Sequence, residues 1–515
     1  MLTEVHTGDV IGIDAFEIIV EVDSRVGLPG FHLVGMASTA VTEGKVRIKT
    51  AVENSGFILK SKKITVNLAP AEIRKDTTAF DLPIALGVIA VDGSFKTDIF
   101  SGTLFIGELS LDGTVRPVHG VLSITDMAAR KGYNRIVVPR ENGSEAALIS
   151  GIEVCIADSL IQVMQCLTGE REWENTYRDE PTFHSNDIPD FCDIRGQNPA
   201  IRAMEIAAAG GHNLLMIGPP GSGKSMLARR LPGILPPMDN QQAIECTKIY
   251  SVAGILKGNN LIYSRPCRNP HHTITSAGLV GGGPGPRPGE ISLAHNGILF
   301  LDELLEFSRQ TLETLRQPLE NGIVTITRAR GSISFPCNFQ LIAAMNPCPC
   351  GHYGDPRKEC ICTNRTVEIY RNRLSGPLID RIDIQIEVPG LTYAEIRSSS
   401  SAGENSSDIR HRVIKAWEIQ QNRYKDEVEK NNSRMNSRMI RQYCNIDFQS
   451  ELWLEKTVER NSLSVRSVDK ILKIARTIAD LEGSSHITMA HIKEASKLRT
   501  ADTKPLPKAY NGFYA

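Results

Sequence analysis

The feature that most constrains the fold of this chain is a short segment, 218–225, that fits the P-loop pattern GxxxxGK[ST] at every constrained position. An apolar run short enough to be one buried strand, 213–217, precedes it, and a segment with helical spacing, 226–231, follows it. In such a context the glycines let backbone N–H groups turn toward a polyphosphate, and the helix N-terminus adds its positive dipole end. The pattern therefore predicts an α/β P-loop fold that binds a nucleoside triphosphate. The predicted nucleotide-binding residues are Gly218, Pro219, Pro220, Gly221, Ser222, Gly223, Lys224 and Ser225.

Two residues of this segment and two carboxylates further along the chain have predicted chemical roles. Lys224 is expected to reach the β- and γ-phosphates, and the Ser225 hydroxyl to coordinate Mg²⁺. The apolar run 297–301 ends in Asp302 and Glu303, which we expect to hold Mg²⁺ and to polarise the attacking water, respectively. Alone, such a run is often a strand capped by surface acids. Its place downstream of a P-loop favours ATP hydrolysis instead.

Three further polar residues follow in the order expected of an ATPase. Asn346 comes directly after a strand-like run and is suited to orienting the lytic water. Arg381 precedes another strand, which suits an arginine finger that reaches into a neighbour's site and stabilises transition-state charge. Arg466 lies at the start of a helix that Ser464 is expected to cap, and it is placed to sense the γ-phosphate. A lone arginine is more often a surface ion pair, but the ordered series favours catalytic roles.

The composition limits the classes of partner and compartment. With 515 residues the chain is too long for one hydrophobic core, and 58 Lys and Arg residues nearly cancel 59 Asp and Glu residues. Any nucleic-acid site must therefore be a local patch. No apolar run is long enough to span a bilayer and no signal peptide is evident, so we expect a cytoplasmic protein with no membrane partner.

The chain is predicted to consist of several segments that differ in composition. Helices in the first of them are expected around 38–54, 82–91 and 121–131. The segments are an α/β domain at 1–168, a polar linker at 169–190, a nucleotide-binding domain at 191–390, a linker and helix at 391–435, a helical region at 436–500 and a tail at 501–515.

Four of the eleven cysteines are clustered in an insert, 348–362, inside the nucleotide-binding domain. They form two Cys-x-Cys pairs with glycine and proline between them, and four thiolates can enclose a tetrahedral, structural Zn²⁺. His352 is an alternative ligand. The competing interpretation, free cysteines in a loop, leaves reactive thiols exposed. The predicted ligands are Cys348, Cys350, Cys360 and Cys362.

Strings along nearly the whole chain resemble the ComM/YifB family of Mg-chelatase-like AAA+ ATPases. These strings lie at 25–30, 64–70, 79–87, 270–273, 287–297 and 475–481. The resemblance implies an AAA+ core with a helical lid, driven by ATP and Mg²⁺. Because the family belongs to the same clade as the MCM helicases, it also implies a ring hexamer in which Arg381 and Arg466 act across subunit boundaries. The implied partner is single-stranded or branched DNA, and the implied activity is branch migration during natural transformation or recombination.

Two inserts typical of that clade can be placed in this sequence. The loop 281–289 is too rich in glycine and proline for helix or strand, whereas 323–335 alternates β-branched residues around Arg-Ala-Arg-Gly and predicts a hairpin with a basic tip. In a ring, such tips line the pore, where arginine can grip phosphates without reading sequence. A hairpin with solvated arginines is equally compatible with the residues alone. The resemblance favours DNA contacts by Arg287, Arg328 and Arg330.

The N-terminal segment is similar, through 107–120, to the domain that Lon proteases share with related DNA-repair ATPases. Lon proteolysis needs a serine nucleophile that a lysine activates. Here Ala79, Phe80 and Asp81 occur where the serine is expected, and Val121 and Leu122 where the lysine is expected. We therefore predict a Lon-like domain without peptidase activity.

Three functions are compatible with the sequence. The leading one is a hexameric ATP-dependent DNA motor of the helicase or branch-migration type. The second is a chelatase-type motor that remodels a protein partner in order to insert Mg²⁺ into a tetrapyrrole. The third is an ATP-switched assembly factor that does not translocate. Salt-sensitive DNA affinity separates the first from the other two.

Overall fold

A computed structural model describes most of the chain. The described residues are 2–36, 39–59, 62–72, 75, 77–91, 97–176, 188–256, 260–283, 287–328, 331–355, 358–391, 403–461 and 463–499. Within these ranges, no helix combines the length and the apolar character that a bilayer crossing requires. The predicted tail at 501–515 and most of the polar segments around 180 and 397 lie outside the described residues.

The N-terminal part is an eight-stranded mixed sheet with helices on its faces, in the strand order β10-β9-β8-β5-β1-β2-β4-β3. Its strands are β1 (Leu2–Ile11), β2 (Asp14–Arg25), β3 (Gly30–Val34), β4 (Lys63–Ala69), β5 (Thr103–Phe105), β8 (Arg135–Pro139), β9 (Glu153–Ala157) and β10 (Glu174–Asn175), and a separate ribbon joins β6 (Glu108–Leu109) to β7 (Val115–Arg116). Its helices are α1 (Thr39–Asn54), α2 (Asp81–Ile89), α3 (Val121–Arg130), α4 (Gly143–Ala146) and α5 (Leu160–Thr168).

Helix α2 packs closely against one face of this sheet. All nine of its residues are buried, and it lies so close to β2 that a Cβ at Gly87 would come within 2.6 Å of the Val22 side chain. The three predicted helices are present as α1, α2 and α3. The segment expected to be a linker from residue 169 onward behaves differently at its start, because Glu174 and Asn175 form the edge strand β10 against β9.

The nucleotide-binding part is a five-stranded parallel sheet in the order β12-β15-β18-β11-β19. Its strands are β11 (Leu214–Ile217), β12 (Cys267–Arg268), β15 (Ile298–Leu301), β18 (Gln340–Met345) and β19 (Ile384–Glu387). Its helices are α6 (Asn198–Gly210), α7 (Lys224–Arg230), α8 (Asn240–Ala253), α9 (Ser276–Val280), α10 (Glu290–Leu293), α11 (Arg309–Glu313), α12 (Arg316–Asn321), α13 (Asn364–Arg371) and α14 (Gly376–Ile379). Every residue of β15 and β18 is buried, as expected for parallel strands covered on both faces.

Both predicted inserts leave this sheet as two-stranded antiparallel ribbons. The predicted hairpin consists of β16 (Ile323–Arg328) and β17 (Gly331–Pro336). The expectation that 281–289 forms neither helix nor strand is wrong at both ends of the loop, because β13 (Gly281–Gly282) pairs with β14 (Arg287–Pro288). The pairing is feasible because Gly281 adopts a φ of 109° and a Cβ there would lie 2.4 Å from the Arg287 carbonyl oxygen.

A helical region completes the fold and shares a hydrophobic core with the parallel sheet. Its helices are α15 (Ser406–Arg423), α16 (Ser437–Tyr443), α17 (Phe448–Asn461), α18 (Val465–Leu481) and α19 (Met489–Lys497). The predicted cap is confirmed, since the Ser464 side chain accepts a hydrogen bond from the Ser467 backbone N–H at the start of α18. A largely buried ion pair between Arg423 and Asp480 joins α15 to α18.

The N-terminal part docks on the nucleotide-binding part through α3 and α8. Lys248 of α8 lies 2.6 Å from the carboxylate of Asp126 in α3, and both side chains are nearly buried. A small apolar cluster that includes Leu122 and Leu261 also joins the two parts. The pairing compensates for the desolvation of both charges, which is the condition under which a buried ion pair is tolerated.

Candidate active site

The P-loop connects the carboxyl end of β11 to the amino end of α7. Its tight path depends on glycine both where φ is positive and where the backbone approaches another segment closely. Gly223, which caps α7, has a φ of 90°, and Gly221 has a φ of 74°. At Gly218, a Cβ would lie 2.1 Å from the Val388 carbonyl oxygen. The loop thus presents its backbone at the N-terminus of a helix, where N–H groups and the helix dipole attract an anion.

Lys224 is buried in the base of this loop. Its ammonium group donates hydrogen bonds to the carbonyl oxygens of Gly218 at 2.7 Å and Pro219 at 2.9 Å. Burial lowers the pKa of Lys224 to about 8, and the nearby negative charge of Asp302 opposes this shift. The ammonium form therefore carries a desolvation cost that a bound polyanion would relieve.

The two predicted magnesium ligands lie next to each other. The Ser225 hydroxyl donates a hydrogen bond to Oδ2 of Asp302, with an oxygen–oxygen distance of 2.6 Å. Ser225 is the second residue of α7, and Asp302 directly follows β15, so two separate elements bring these oxygens together. A hydroxyl and a carboxylate are the hard oxygen donors that Mg²⁺ prefers, and such a pair supplies two of the six ligands of its octahedral shell. The residues present fit a magnesium site.

Asn346 lies at the same edge of the sheet as these groups. It follows β18, which lies between β11 and β15 in the sheet, and its side-chain oxygen lies 3.4 Å from the Lys224 ammonium nitrogen. The carboxyl ends of three neighbouring parallel strands therefore supply the P-loop, Asn346 and Asp302. This edge is where parallel α/β sheets commonly bind ligands.

Glu303 has an unusual backbone and an unpredicted partner. It adopts a left-handed conformation with a φ of 51°, which costs a non-glycine residue on the order of 1 kcal/mol. Its carboxylate lies 3.3 Å from Nδ1 of His272. His272 is flanked by the rings of His271 at 4.1 Å and Phe307 at 6.4 Å. Sequence reasoning missed this residue, although a histidine shortly after β12, at the same edge of the sheet, was an available signal.

The predicted arginine finger, Arg381, and the predicted γ-phosphate sensor, Arg466, both lie away from the P-loop of their own chain. Arg381 precedes β19 and is therefore at the amino edge of the sheet, opposite the P-loop. Its guanidinium contacts the Glu320 carboxylate and donates a hydrogen bond to the Pro377 carbonyl oxygen at 2.7 Å. Arg466 is 73% exposed and lies 3.7 Å from the carboxylate of Asp380. Within one chain, the two arginines lie near each other and away from the P-loop.

The residues predicted to contact DNA are placed on the two ribbons. Arg287 is exposed at the start of β14, and Arg328 ends β16, where its backbone pairs with Gly331. Arg330 lies outside the described residues. The ribbons adjoin each other, since a Cβ at Gly281 would come within 3.0 Å of the Ile326 side chain. The turn between β1 and β2 also reaches the second ribbon, with Gly12 against the Ser334 backbone.

The four predicted zinc ligands converge on one point. The Sγ atom of Cys348 lies 3.4 Å from that of Cys350 and 3.6 Å from that of Cys360, and the sulfurs of Cys350 and Cys360 are 3.5 Å apart. All four sulfurs, including that of Cys362, lie within 4.8 Å of one another. A tetrahedral zinc with bonds of about 2.3 Å separates its sulfurs by about 3.8 Å, so the cluster fits this metal. His352 is not in the group, and its Nδ1 lies 3.6 Å from the Asp355 carboxylate.

The N-terminal positions at which a Lon-type dyad is expected hold other side chains. Ala79 is buried and lacks a hydroxyl, and Val121 and Leu122 are buried apolar residues at the start of α3. Asp81 is buried as well, and burial raises its pKa while the Arg47 guanidinium, 2.6 Å away, opposes the shift. This constellation offers an ion pair in place of a nucleophile and its base.

Comparison with known proteins places the whole chain in one family. Family sequence models described as "Magnesium chelatase, subunit ChlI", "Subunit ChlI of Mg-chelatase" and "Magnesium chelatase, subunit ChlI C-terminal" match residues 190–396, 20–142 and 403–499. The protein YifB of Salmonella typhimurium is 43% identical over 504 residues, which cover 97% of each chain. The competence protein ComM of Haemophilus influenzae is 42% identical over 498 residues, which cover 96% of each chain. A peroxisomal Lon protease homologue of Arabidopsis thaliana is 25% identical over 175 residues, covering 31% of this chain and 20% of that protein. The chain therefore belongs to the ComM/YifB family of Mg-chelatase-like proteins.

Proposed function

We propose that this protein is an AAA+ ATPase that uses ATP hydrolysis to move DNA. The observation that supports hydrolysis most directly is the contact between the Ser225 hydroxyl and Asp302 beside the Lys224 ammonium. These groups come from two strand ends and match the ligands that phosphoryl transfer requires around a triphosphate and its Mg²⁺. Membership of the Mg-chelatase-like family agrees with an ATP-binding, Mg²⁺-dependent protein.

Each residue of the site has a role in the proposed reaction. Lys224 and the P-loop N–H groups hold the β- and γ-phosphates, while Ser225 and Asp302 hold Mg²⁺, which when bound neutralises charge on the phosphate oxygens. Glu303 accepts a proton from the attacking water, and Asn346 orients that water toward the γ-phosphate. Positioning and charge stabilisation supply most of the rate in such a reaction.

The arginines motivate the proposal that the protein works as a ring, which we expect to be a homo-hexamer. Arg381 and Arg466 lie on a different edge of the molecule from the P-loop of the same chain, so they can serve a nucleotide only if a neighbouring copy presents it. An arginine supplied in this way stabilises the transition state. In a ring, hydrolysis in one subunit is then coupled to the position of the next.

The two ribbons motivate the proposal that DNA is the partner. Arg287 is exposed on one ribbon, and Arg328 ends the first strand of the other. Arg330, which lies outside the described residues, follows two positions later in the sequence. Arginines on adjacent ribbons suit contacts to phosphates that carry no sequence information. The relative ComM bears the name of a competence protein. We propose branch migration of DNA in transformation or recombination as the activity, in the cytoplasm.

Two further assignments complete the proposal. The N-terminal part is a Lon-like domain without peptidase activity, since Ala79, Phe80 and Asp81 occur where the serine is expected, and Val121 and Leu122 where the lysine is expected. The four clustered cysteines hold a structural Zn²⁺, because four thiolates close the coordination shell and leave no open position for catalysis.

The test is ATP-dependent branch migration of a synthetic four-way DNA junction, with Glu303→Gln as the matched control. We expect the wild-type protein to move the junction and the variant to bind it without moving it. If ATP is hydrolysed while neither junction nor forked DNA moves, the DNA motor is refuted. A chelatase-type motor or an ATP-switched assembly factor that acts on a protein then takes its place, as the family descriptions allow.

A further inference from the structure

The cysteine module, defined here as residues 347–355 and 358–363, packs directly on the P-loop. Gly351 has a φ of 83°, and a Cβ at this position would lie 2.5 Å from Cδ and 2.7 Å from Cγ of Pro220. Pro220 is the third residue of the nucleotide-binding segment. The absence of a side chain at Gly351 is therefore what lets the module touch the loop that is expected to surround the triphosphate.

The cysteines determine where Gly351 lies. The Gly351 N–H donates a hydrogen bond to the Cys348 carbonyl oxygen at 3.0 Å, and the Tyr353 N–H donates one to the Cys348 sulfur at 3.3 Å. Gly351 thus belongs to a turn that folds around one thiolate and directly follows another, that of Cys350. A metal that draws the four sulfurs together fixes this turn, whereas four unlinked thiols leave it free to shift.

A second connection joins the module to the catalytic edge of the sheet. Arg371 of α13 donates a hydrogen bond to the Pro347 carbonyl oxygen at 2.9 Å, and its guanidinium lies 5.2 Å from the centre of the Tyr353 ring. Pro347 directly follows Asn346, whose side chain lies 3.4 Å from the Lys224 ammonium. The module therefore contacts the site from two directions, at the P-loop and at the residue expected to orient the lytic water.

We propose that Zn²⁺ bound by the four cysteines positions the P-loop through Gly351, so that the affinity for ATP depends on the metal. This inference rests on the proposed nucleotide site and adds a dependence that ATP binding alone does not require. Zinc binding displaces the thiol protons and leaves a closed shell of four thiolates. Gly351 and Pro220 are positioning residues, since neither is expected to contact the metal or the reacting atoms.

The sharpest test compares two glycines of the same module. Gly351 and Gly354 both have positive φ, 83° and 77°, so alanine strains the backbone at either position. Only at Gly351 does the added Cβ meet the P-loop, because nothing lies within 4 Å of the corresponding Cβ at Gly354. The measurements are zinc content by mass spectrometry and equilibrium binding of a fluorescent ATP analogue to the full-length protein.

We expect Gly351→Ala to retain about one zinc per chain and to bind the nucleotide more weakly, on the order of tenfold. Gly354→Ala should keep both properties of the wild type. Equal affinities for the two variants would overturn the positioning role. Wild-type protein that binds ATP but contains no zinc would also overturn the inference, whereas wild-type protein that binds zinc but no ATP would refute the nucleotide site itself.

Removal of the metal provides an independent arm. Cys362→Ser and chelator-treated wild-type protein should lose zinc and show the same weakening of nucleotide binding, with the helical circular dichroism unchanged. Readdition of Zn²⁺ should restore the affinity of the treated wild type. If zinc is removed and restored with no change in nucleotide affinity, the proposed coupling is wrong.

Discussion

The two edges of the five-stranded sheet differ in how much of the proposed ATPase site a single chain assembles there. At the carboxyl edge, the Lys224 ammonium lies 3.4 Å from Asn346, and the Ser225 hydroxyl lies 2.6 Å from Asp302. These contacts form although the residues come from three different strand ends. The groups expected to bind ATP and Mg²⁺ are thus assembled by the fold of a single subunit.

At the amino edge, each arginine faces a carboxylate of its own chain. Arg381 contacts Glu320, and Arg466 lies 3.7 Å from Asp380. Neither arrangement offers a place for a phosphate of the same subunit. Under the proposed mechanism, one chain supplies the groups for nucleotide binding, whereas Arg381 and Arg466 can stabilise the transition state only in the site of a second copy.

Replacement of Lys224 should have the largest effect on ATP binding and hydrolysis, because Lys224 belongs to the carboxyl edge, where one chain supplies the groups expected to bind ATP. Lys224→Ala removes the buried ammonium group, and we expect the loss of detectable ATP binding and hydrolysis at micromolar nucleotide. Equilibrium binding of a fluorescent ATP analogue measures this directly. Wild-type affinity in the variant would show that the P-loop assignment is wrong.

Replacement of Arg381 should distinguish the proposed roles of the two edges in ATP binding and in catalysis. Arg381→Ala should lower kcat on the order of 10³-fold while the affinity for ATP stays unchanged, since an arginine finger acts on the transition state. The matched control is Glu320→Gln, which frees Arg381 from its partner and should cause no loss of hydrolysis. A parallel loss of ATP affinity in Arg381→Ala would mean that this arginine serves the nucleotide of its own chain.

Replacement of Glu303 tests the chemical step at the complete edge. Glu303→Gln keeps the size of the side chain but removes the base, so we expect ATP binding to persist and kcat to fall by roughly 10²-fold or more. Steady-state hydrolysis and analogue binding on the same preparation separate the two. Undiminished turnover would remove Glu303 from the mechanism.

The pH dependence of ATP binding follows from the burial of Lys224. Burial lowers its pKa to about 8, so the free protein loses the ammonium form as the pH rises above that value. Because the triphosphate selects the charged form, binding then takes up a proton, and the apparent Kd should rise by up to about tenfold per pH unit. Below pH 8 this residue adds no dependence. Lys224→Arg should abolish the dependence, and a flat wild-type profile up to pH 10 would contradict it.

The contact between His272 and Glu303 predicts the smallest effect. His272→Phe removes the group that lies 3.3 Å from the Glu303 carboxylate, and we expect kcat to fall by roughly tenfold with the KM for ATP unchanged. His272→Gln, which retains a hydrogen-bonding group, should recover part of the loss, and the exposed neighbour in His271→Gln serves as control. An increase in KM alone would assign His272 to binding.

The parts of the site that sequence analysis predicted are those in which local order determines position. The P-loop, Asp302 and Asn346 each follow a buried apolar run, and parallel strands place their carboxyl ends together. The spacing of the four cysteines similarly restricts them to one short loop. The β16–β17 hairpin was predicted for the same reason, because the alternation of its β-branched residues is local, whereas the helical lid was implied by the family resemblance.

The features that were missed depend on tertiary arrangement. The ribbon of β13 and β14 escapes prediction because two paired residues leave no periodicity, and glycine normally disfavours strands. The pairing of Arg381 with Glu320 joins residues far apart in the sequence, so no local pattern indicates it. The same holds for the contact between Gly351 and Pro220, which only the three-dimensional packing reveals.

The measurement that tests the division between the two edges most directly is ATP hydrolysis by a mixture of two inactive variants. Lys224→Ala has an intact arginine edge and Arg381→Ala has an intact P-loop, so a ring with both contains interfaces at which every group is present. We predict that each variant alone is inactive and that an equimolar mixture recovers about a quarter of the wild-type rate. In a randomly assembled ring, about a quarter of the interfaces combine an intact P-loop from one subunit with an intact Arg381 from its neighbour. A mixture as inactive as its components, under conditions where the two variants demonstrably co-assemble, would contradict a site completed by a neighbouring chain.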